Sequence, residues 1–224
     1  MWRAAAENPG DRGRFAGWRP AAHPRIGGKL TASEVGVTLD GILDEAFALL
    51  AAAAKDRAAP FRTVALATVA AGGGPDVRTV VVRSFDAAGR RLSVHTDARS
   101  AKVAQIHAHP AVALLAWDPV RRLQLRLRGQ ARLRGGDAMT RDAWEGLPGA
   151  TRHLYRLRQA PGTKLPEPSP NQYDEASEAF GFARFQIVEI AFDHLESLHL
   201  THLGQIRASF DFTGAEVDAA WLVP

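Results

Sequence analysis

Residues 78–129 have the sequence RTVVVRSFDAAGRRLSVHTDARSAKVAQIHAHPAVALLAWDPVRRLQLRLRG, and this stretch decides the fold. It opens with a β-branched run and passes through the turn signal Asp86-Ala-Ala-Gly89 into a second strand pattern that ends at Thr96. Ser100 then precedes a short apolar-periodic segment that Pro110 closes, which is typical of a capped helix. Two further strand patterns follow, at 111–117 and 121–134.

The last of these strands alternates cleanly, with leucines on one face and arginines or glutamines on the other. The strand at 77–85 is apolar at successive positions, which predicts burial on both of its faces. With one more strand at 61–70, the connections are short and only one small helix intervenes. The pattern predicts a small antiparallel β-barrel and argues against a doubly wound α/β sheet.

The flanking segments complete the predicted organisation. Residues 1–37 show no periodicity and are expected to form an irregular arm, whereas 38–224 should form a single domain. A helix capped by Thr38 or Asp40 should run to about residue 57. The barrel core is expected at 61–134, and C-terminal strands are expected at 182–223. Between them lies a helical segment at 137–180, with a helix near 138–145 that Asp137 can cap and another at 150–159.

Composition limits the class of protein. The 224 residues include 46% hydrophobic residues and no cysteine, which excludes disulfides and thiolate chemistry. No apolar run is long enough to span a bilayer, and the first residues lack the apolar core of a secretory signal. We expect a cytoplasmic protein without a membrane partner. Because 28 basic residues face 24 acidic ones, the net charge of +4 does not by itself indicate a nucleic-acid partner.

Several polar residues in the deciding stretch suit an anionic ligand. Arg78 and Arg83 flank the β-branched run, and their odd spacing puts them on opposite faces of a regular strand. Lys102 falls in the first turn of the predicted helix, where the helix dipole disfavours a cation. An anion held by Lys102, Ser100 and the free N–H groups would explain that placement. The alternative is a solvated lysine on a marginal helix.

The ordered set Arg78-Thr-Val-Val-Val-Arg83, His95-Thr96-Asp97, Ser100-x-Lys102 and Gln124 resembles the pyridoxamine 5′-phosphate oxidase family. It is most similar to the related split-barrel branch that binds flavin mononucleotide (FMN). The resemblance covers about 61–133 well and the C-terminal strands weakly. It implies a mainly β (α+β) fold: a six-stranded antiparallel split barrel with flanking helices, which forms a homodimer with FMN at the interface.

No metal site is expected, because strand-like spacing scatters His194, His199 and His202. The resemblance implies which residues bind FMN. The phosphate is expected near Arg78, Thr96, Ser100 and Lys102, and Arg99 is expected to replace an arginine that the family places at Ala101. The remaining implied contacts come from strand backbone and strand ends: Thr79, Val80, Val81, Val82, Arg83, His95 and Gln124. Arg83 is expected towards the substrate side. Simpler alternatives remain for two of them, a hydrogen-bonded strand-end imidazole for His95 and a solvated amide for Gln124.

Departures from the family bear on function. Where the enzymes that make pyridoxal phosphate hold the substrate phosphate, this chain has Arg83, Ala143 or Trp144, Leu147 and Thr151. We therefore expect an FMN-dependent oxidoreductase with an unassigned substrate, in which the protein orients the cofactor and no acid-base residue is required. The alternatives are a non-enzymatic flavin or haem carrier, a true pyridoxamine 5′-phosphate oxidase, and a basic nucleic-acid-binding barrel.

Overall fold

The computed structural model describes residues 37–168, 177–202 and 204–224. The predicted N-terminal arm, apart from Val37, lies outside the described residues, as does part of the predicted helical segment. Across the described ranges, none of the helices combines the length and the apolar character needed to cross a bilayer.

Within the described ranges, eight strands form one antiparallel sheet. In chain order they are β1 Thr63–Val69, β2 Pro75–Asp86, β3 Arg91–Asp97, β4 Ala111–Asp118, β5 Leu123–Arg134, β6 Phe185–Thr201, β7 Gly204–Asp211 and β8 Asp218–Leu222. The sheet order is β3-β2-β1-β4-β5-β6-β7-β8, and β3 also pairs with β6. That last pairing closes six strands into an antiparallel barrel and leaves β7 and β8 as an extension. The six-stranded barrel expected from the sequence is confirmed.

Strand alternation fills the barrel. On β5 the buried row is the predicted one, because Leu123, Leu125, Leu127 and Ala131 face inward while the arginines alternate with them. At Gly129 the pairing with β6 shifts by one residue, forming a bulge. The other inward rows contribute these buried residues: Val64, Leu66, Val80, Val82, Leu92, Val94, Leu114, Ala116, Val188 and Ile190.

Five helices of the described chain flank the barrel: α1 Leu39–Lys55, α2 Ala101–Ala108, α3 Ala138–Glu145, α4 Gly149–His153 and α5 Glu178–Arg184. Asp137 caps its helix as predicted, and of the two candidates for the cap of α1, Thr38 or Asp40, it is Thr38 that caps it. Thr38 Oγ1 accepts the Gly41 amide at 3.0 Å, and Asp137 Oδ1 accepts the Thr140 amide at 2.8 Å. Helix α1 buries Ala46, Leu50 and Ala53 against the barrel.

Three expectations about elements were wrong. Strand β2 is not buried on both faces, because Val80 and Val82 point inward whereas Val81 remains half-buried on the outer face. The helix expected at 150–159 ends at His153 and continues only as a 3-10 turn, Leu154–Arg156. The separate strand expected at 195–200 is the second half of β6, which runs for 17 residues. The proposed domain boundaries stay a prediction.

Candidate functional site

The inward rows of three strands change from apolar to polar at the same end of the barrel. On β1, Leu66 is followed two residues later by Thr68; on β2, Val80 is preceded by Arg78; on β3, Val94 leads to Thr96. Helix α2 packs beside this end, and its Gln105 accepts a 2.6 Å hydrogen bond from Thr68. Simple strand alternation thus gathers hydroxyl, amide and cationic groups where the apolar core stops.

Lys102, Thr96 and Ser100 form a hydrogen-bonded group that we call the lysine cluster. The Lys102 ammonium donates to Thr96 Oγ1 at 3.1 Å and to Ser100 Oγ at 2.9 Å, and the two hydroxyl oxygens lie 3.1 Å apart. Ser100 occupies the N-cap position of α2, as predicted, but its hydroxyl makes no capping hydrogen bond to the helix. The hydroxyls therefore hold the lysine at the start of α2.

Arg78 lies next to the lysine cluster and is held by its own network. Its terminal nitrogens donate to Thr68 Oγ1 at 2.6 Å, to Asp76 Oδ2 at 2.6 Å and to Gln105 Oε1 at 2.9 Å. Gln105 Nε2 in turn donates to the same Asp76 oxygen at 2.8 Å. The network fixes the guanidinium at the end of the barrel, beside α2.

The electrostatics of the lysine cluster favour an anion. Burial lowers the pKa of Lys102, and the positive charge of Arg78 lowers it further, against weaker support from Asp97 and Asp76. Among the described residues no carboxylate accepts a hydrogen bond from the ammonium, whose acceptors are the neutral hydroxyls of Thr96 and Ser100. A cation held in such a place is stabilised when an anion binds, and hydroxyl, ammonium and guanidinium donors suit phosphate. The donor set therefore fits the phosphate of FMN.

Arg99 bonds to Asp97 and to backbone carbonyls of a distant segment. Its Nε donates to Asp97 Oδ1 at 3.0 Å, and its terminal nitrogens reach Asp97 Oδ2 at 2.8 Å and the carbonyls of Leu157 and Arg158 at 3.1 Å. These bonds tie the loop before α2 to the segment after the 3-10 turn. A compensating phosphate contact by Arg99 stays a prediction.

A second concave site lies on the outer side of β2, β3 and β6, and we call it the arginine cavity. It has a volume of about 650 Å³, and its lining includes Arg57, Arg62, Arg83 and Arg91 with His95. Apolar lining residues come from α3, from the following loop and from β6, where Ile187 is the cross-strand partner of His95: Met139, Ala143, Leu147, Pro148 and Ile187. Asp86 and Glu189 are the acidic residues in the lining.

The positive charges of the four arginines in this cavity are not neutralised by ion pairs within the described residues. Among the described residues, none of Arg57, Arg62, Arg83 and Arg91 forms an ion pair, and the buried Nε of Arg83 has no hydrogen-bond partner. The pKa of Arg83 is lowered by burial first and by the nearby Arg62 second. Burial and the charges of Arg83 and Arg62 lower the pKa of His95 to about 4, so the imidazole is neutral at pH 7. Its buried Nδ1 also lacks a partner.

Aromatic packing fixes the position of His95. The His95 ring meets the Phe185 ring edge-on with centroids 4.8 Å apart. The Tyr155 ring meets the Phe185 ring edge-on as well, at 5.2 Å. Trp144 packs on Phe185 from α3 at 5.5 Å. Burial raises the pKa of Tyr155 to about 12 although the charge of Arg83 opposes the shift, so its phenol stays protonated. His95, Phe185, Tyr155 and Trp144 therefore form one packed aromatic cluster beside the arginine cavity.

The outer side of β2, β1 and β4 is an exposed apolar face. Side chains of Val77, Leu115 and Trp117 are 64%, 42% and 43% exposed. The strand register places Thr79 and Leu115 on either side of Ala65, so these residues form neighbouring rows. Gln124 pairs with Trp117 and therefore borders this face rather than the lysine cluster. Apolar patches of this kind typically mark interaction surfaces.

The structure thus divides the sequence-predicted residues among three places. Arg78, Thr96, Ser100 and Lys102 come together at the barrel end, Arg83 and His95 line the arginine cavity, and Thr79, Val81 and Gln124 lie on or beside the apolar face. Val80 and Val82 are core residues whose contact with a cofactor would be through the backbone. The sequence analysis missed four residues at or beside these sites, and the only signal that the sequence carries for them is a polar side chain: Arg57, Arg62, Gln105 and Tyr155.

Comparison with known proteins identifies the barrel. Residues 46–135 match the family model of the pyridoxamine 5′-phosphate oxidase FMN-binding domain. The resemblance to the pyridoxamine 5′-phosphate oxidase-related family is confirmed. A pyridoxine/pyridoxamine 5′-phosphate oxidase from Caulobacter vibrioides is 45% identical over 65 residues, which cover 29% of this chain and 28% of that protein. The chain therefore aligns with less than a third of the length of this curated relative.

Two solved structures match over a greater length. A pyridoxamine 5′-phosphate oxidase-related, FMN-binding protein from Nostoc punctiforme has a TM-score of 0.63 and 25% identity, covering 80% of this chain and 96% of that one. PhzG from Burkholderia lata has a TM-score of 0.61 and 17% identity, covering 82% and 91%. At 17% identity, the match to PhzG shows a shared fold and no more. Together the two structures show the split-barrel fold beyond the segment matched in sequence.

Proposed function

We propose that this chain is an FMN-binding protein whose phosphate site is the lysine cluster with Arg78. The single observation that carries the proposal is the half-buried Lys102. In the part of the chain that the structure describes, its ammonium is bonded only to the hydroxyls of Thr96 and Ser100, and it lies near a second cation. Phosphate would offset the charge of Lys102, since Arg78 already pairs with Asp76. The matching of residues 46–135 to an FMN-binding domain supports the same assignment.

The rest of the cofactor would follow β2 towards the apolar face. The backbone at 79–82 would flank the flavin, and the amide of Gln124, at the border of the apolar face, would serve the carbonyl edge of the ring. Arg83 and His95 would stand on the substrate side. When bound, FMN supplies hydride transfer, and the residues of this chain bind it, orient it and exclude water.

We also propose that the protein is a homodimer formed through the apolar face. Val77, Leu115 and Trp117 are too exposed and too close together for scattered surface residues, and a second copy would cover them. The bordering position of Gln124 would let it reach a flavin at the interface. A cytoplasmic location is part of the proposal, since a chain without cysteine needs no oxidising compartment.

The activity we propose is that of a flavin-dependent oxidoreductase. Oxidation of pyridoxamine 5′-phosphate is not proposed, because Ala143 and Leu147 offer no donor to a substrate phosphate where they line the arginine cavity. A non-enzymatic flavin carrier would share the phosphate site but would not turn over. Nucleic acid is not a proposed partner.

The test compares two ligands that differ only in the phosphate. Flavin-free protein is titrated with FMN and with riboflavin while the flavin fluorescence is recorded. FMN should bind at least about a hundredfold more tightly, because riboflavin loses two or more charge-assisted hydrogen bonds. Equal affinities would remove the lysine cluster from the proposal. The loaded protein is then mixed with NADH or NADPH; a flavin that no donor reduces and no acceptor reoxidises indicates the carrier.

A further inference from the structure

Arg78 has few free donors to offer a phosphate. A guanidinium has five N–H donors, of which four are on the two terminal nitrogens. Nη1 of Arg78 donates to the Leu66 carbonyl at 3.3 Å and to Thr68 Oγ1 at 2.6 Å. Nη2 donates to Asp76 Oδ2 at 2.6 Å and to Gln105 Oε1 at 2.9 Å. These bonds engage the terminal N–H groups within the protein, so the planar fork that suits phosphate is closed.

Asp76 is the charged acceptor in this network. Its Oδ2 accepts from Arg78 and also from Gln105 Nε2, which lies 2.8 Å away. The hydrogen bond from Gln105 and the charge of Arg78 lower the pKa of Asp76, so the carboxylate is ionised at pH 7. An ionised carboxylate and a phosphate are the same kind of partner for a guanidinium. The two anions therefore compete for Arg78.

The pair of Arg78 and Asp76 is accessible enough to open. The two side chains are 21% and 42% exposed, and an ion pair with that much access to water contributes little net stability. Arg78 can therefore exchange one anion for another at small cost. A phosphate bound at Lys102 would find this cation next to it, already oriented by Thr68 and Gln105.

We propose that Asp76 competes with the FMN phosphate for Arg78 and thereby lowers the affinity of the site for the cofactor. This inference deepens the proposed function and rests on it, because it requires the phosphate to bind at the lysine cluster. In the flavin-free protein, Asp76 and Gln105 keep the guanidinium satisfied. When the phosphate binds, Arg78 exchanges the Asp76 carboxylate for a phosphate oxygen.

The alternative is an effect of Asp76 through space, without any exchange of partners. Burial and the charge of Arg78 lower the pKa of Lys102, and the charges of Asp97 and Asp76 oppose that shift. The charge of Asp76 therefore acts at Lys102 and would repel a phosphate there whatever Arg78 does. The two mechanisms differ in whether the effect of Asp76 depends on Arg78.

The first measurement titrates flavin-free wild type and Asp76→Asn with FMN and with riboflavin, followed by flavin fluorescence. Asparagine keeps the size of the side chain and removes its charge. FMN affinity should rise at least about threefold, whereas riboflavin affinity should not change. Asp218→Asn removes an exposed carboxylate at the start of another strand, β8, and should bind FMN as the wild type does. An unchanged or lower FMN affinity in Asp76→Asn would overturn the proposal.

A double-mutant cycle with Arg78→Met identifies the mechanism. Competition predicts that the gain from Asp76→Asn is largely lost in the Arg78→Met background, where no guanidinium is left to release. Arg78→Lys is the second background, since lysine keeps the charge without the planar fork, and the gain should be smaller there as well. A gain of the same size with and without the guanidinium would overturn the proposal in favour of the effect through space.

Inorganic phosphate separates a failure of this proposal from a failure of the flavin assignment. It should raise the Tm of flavin-free Asp76→Asn more than that of the flavin-free wild type, because a more tightly bound ligand stabilises the folded state more. If FMN and riboflavin bind the wild type equally but this difference is seen, the flavin assignment fails and the competition stands. If the wild type prefers FMN and Asp76→Asn changes neither measurement, the competition fails alone.

Discussion

His95 and Thr96 are adjacent on β3, and their side chains enter two different sites. Thr96 Oγ1 lies 3.1 Å from the Lys102 ammonium at the barrel end, whereas His95 lines the arginine cavity with Arg83 on the outer side. Because successive side chains of a strand point to opposite faces, β3 contributes one residue to each site. The strand thereby places the proposed phosphate site and the arginine cavity on opposite faces of the sheet.

Replacement of Lys102 tests the first of these sites. Lys102→Met keeps the apolar stem and removes the ammonium, so one charge-assisted hydrogen bond to phosphate, about 1.5–3 kcal/mol, is lost. FMN affinity in a fluorescence titration should fall about tenfold to a hundredfold, whereas riboflavin affinity should not change. Lys164→Met, in an exposed loop, is the matched control. An unaltered FMN affinity in Lys102→Met would exclude Lys102 from the site.

The barrel could be predicted because its signals are local. The alternation on β5, the turn at residues 86–89 and the N-caps Thr38 and Asp137 each involve neighbours in sequence. Burial on both faces of β2 was a wrong expectation, because three successive valines obey the pleat: Val80 and Val82 turn inward while Val81 faces outward. A run of apolar residues does not show what covers the outer face.

The site was only partly predictable, for a different reason. The lysine cluster lies within a short segment, from Thr96 to Lys102, and a family resemblance marks it. The arginine cavity joins Arg57 and Arg62, from the end of α1 and the turn after it, to β2, β3 and α3. The local sequence of Arg57 does not indicate that it lines a cavity, since an arginine after a helix is ordinarily a solvated residue.

Arg83→Met should leave the protein at least as thermally stable as the wild type. The Arg83 guanidinium is partly buried, has an unpartnered Nε and is repelled by Arg62, so its removal deletes an unfavourable charge while Met fills most of the volume. Thermal unfolding followed by circular dichroism measures the effect. A clear fall in Tm would mean that Arg83 supports the fold and that its role in binding needs other evidence.

The apolar face predicts a dimer that one charge should disrupt. Leu115→Lys places an ammonium beside Ala65 in the middle of the face, where a second copy would bury it. Light scattering after size exclusion should show a dimer for the wild type and a monomer for the variant, with weaker FMN binding. Val120→Lys, in the exposed turn between β4 and β5, is the control and should remain dimeric. A monomeric wild type would refute the assembly.

Gly129 is required by the close approach of β6. A Cβ added there would stand 2.5 Å from Phe192 Cα and would clash with the Ala191 carbonyl as well, at the bulge where the register shifts. Gly129→Ala should therefore lower the free energy of unfolding by about 2 kcal/mol or more. In Gly149→Ala the new methyl meets open space at the start of α4, and the change should lie within about 0.5 kcal/mol. Chemical denaturation distinguishes the two.

The protonation of His95 should make the fold sensitive to mild acid. Its pKa in the folded protein is about 4, below the ordinary value of 6.5, because of burial and the charges of Arg83 and Arg62. Between these two values the unfolded chain binds a proton that the folded chain does not. Stability is therefore complete above about pH 7 and is lost as the pH falls towards 4, by about 2 kcal/mol at pH 5.

His95→Phe isolates this contribution, because a phenyl ring can pack on Phe185 and does not titrate. The difference in unfolding free energy between pH 8 and pH 5 should shrink by about 2 kcal/mol in the variant, measured by urea denaturation. His194 also has a pKa lowered by burial, and it remains in both proteins, so its contribution cancels in the comparison. The same pH dependence in wild type and variant would show that His95 is already able to accept a proton in the folded state.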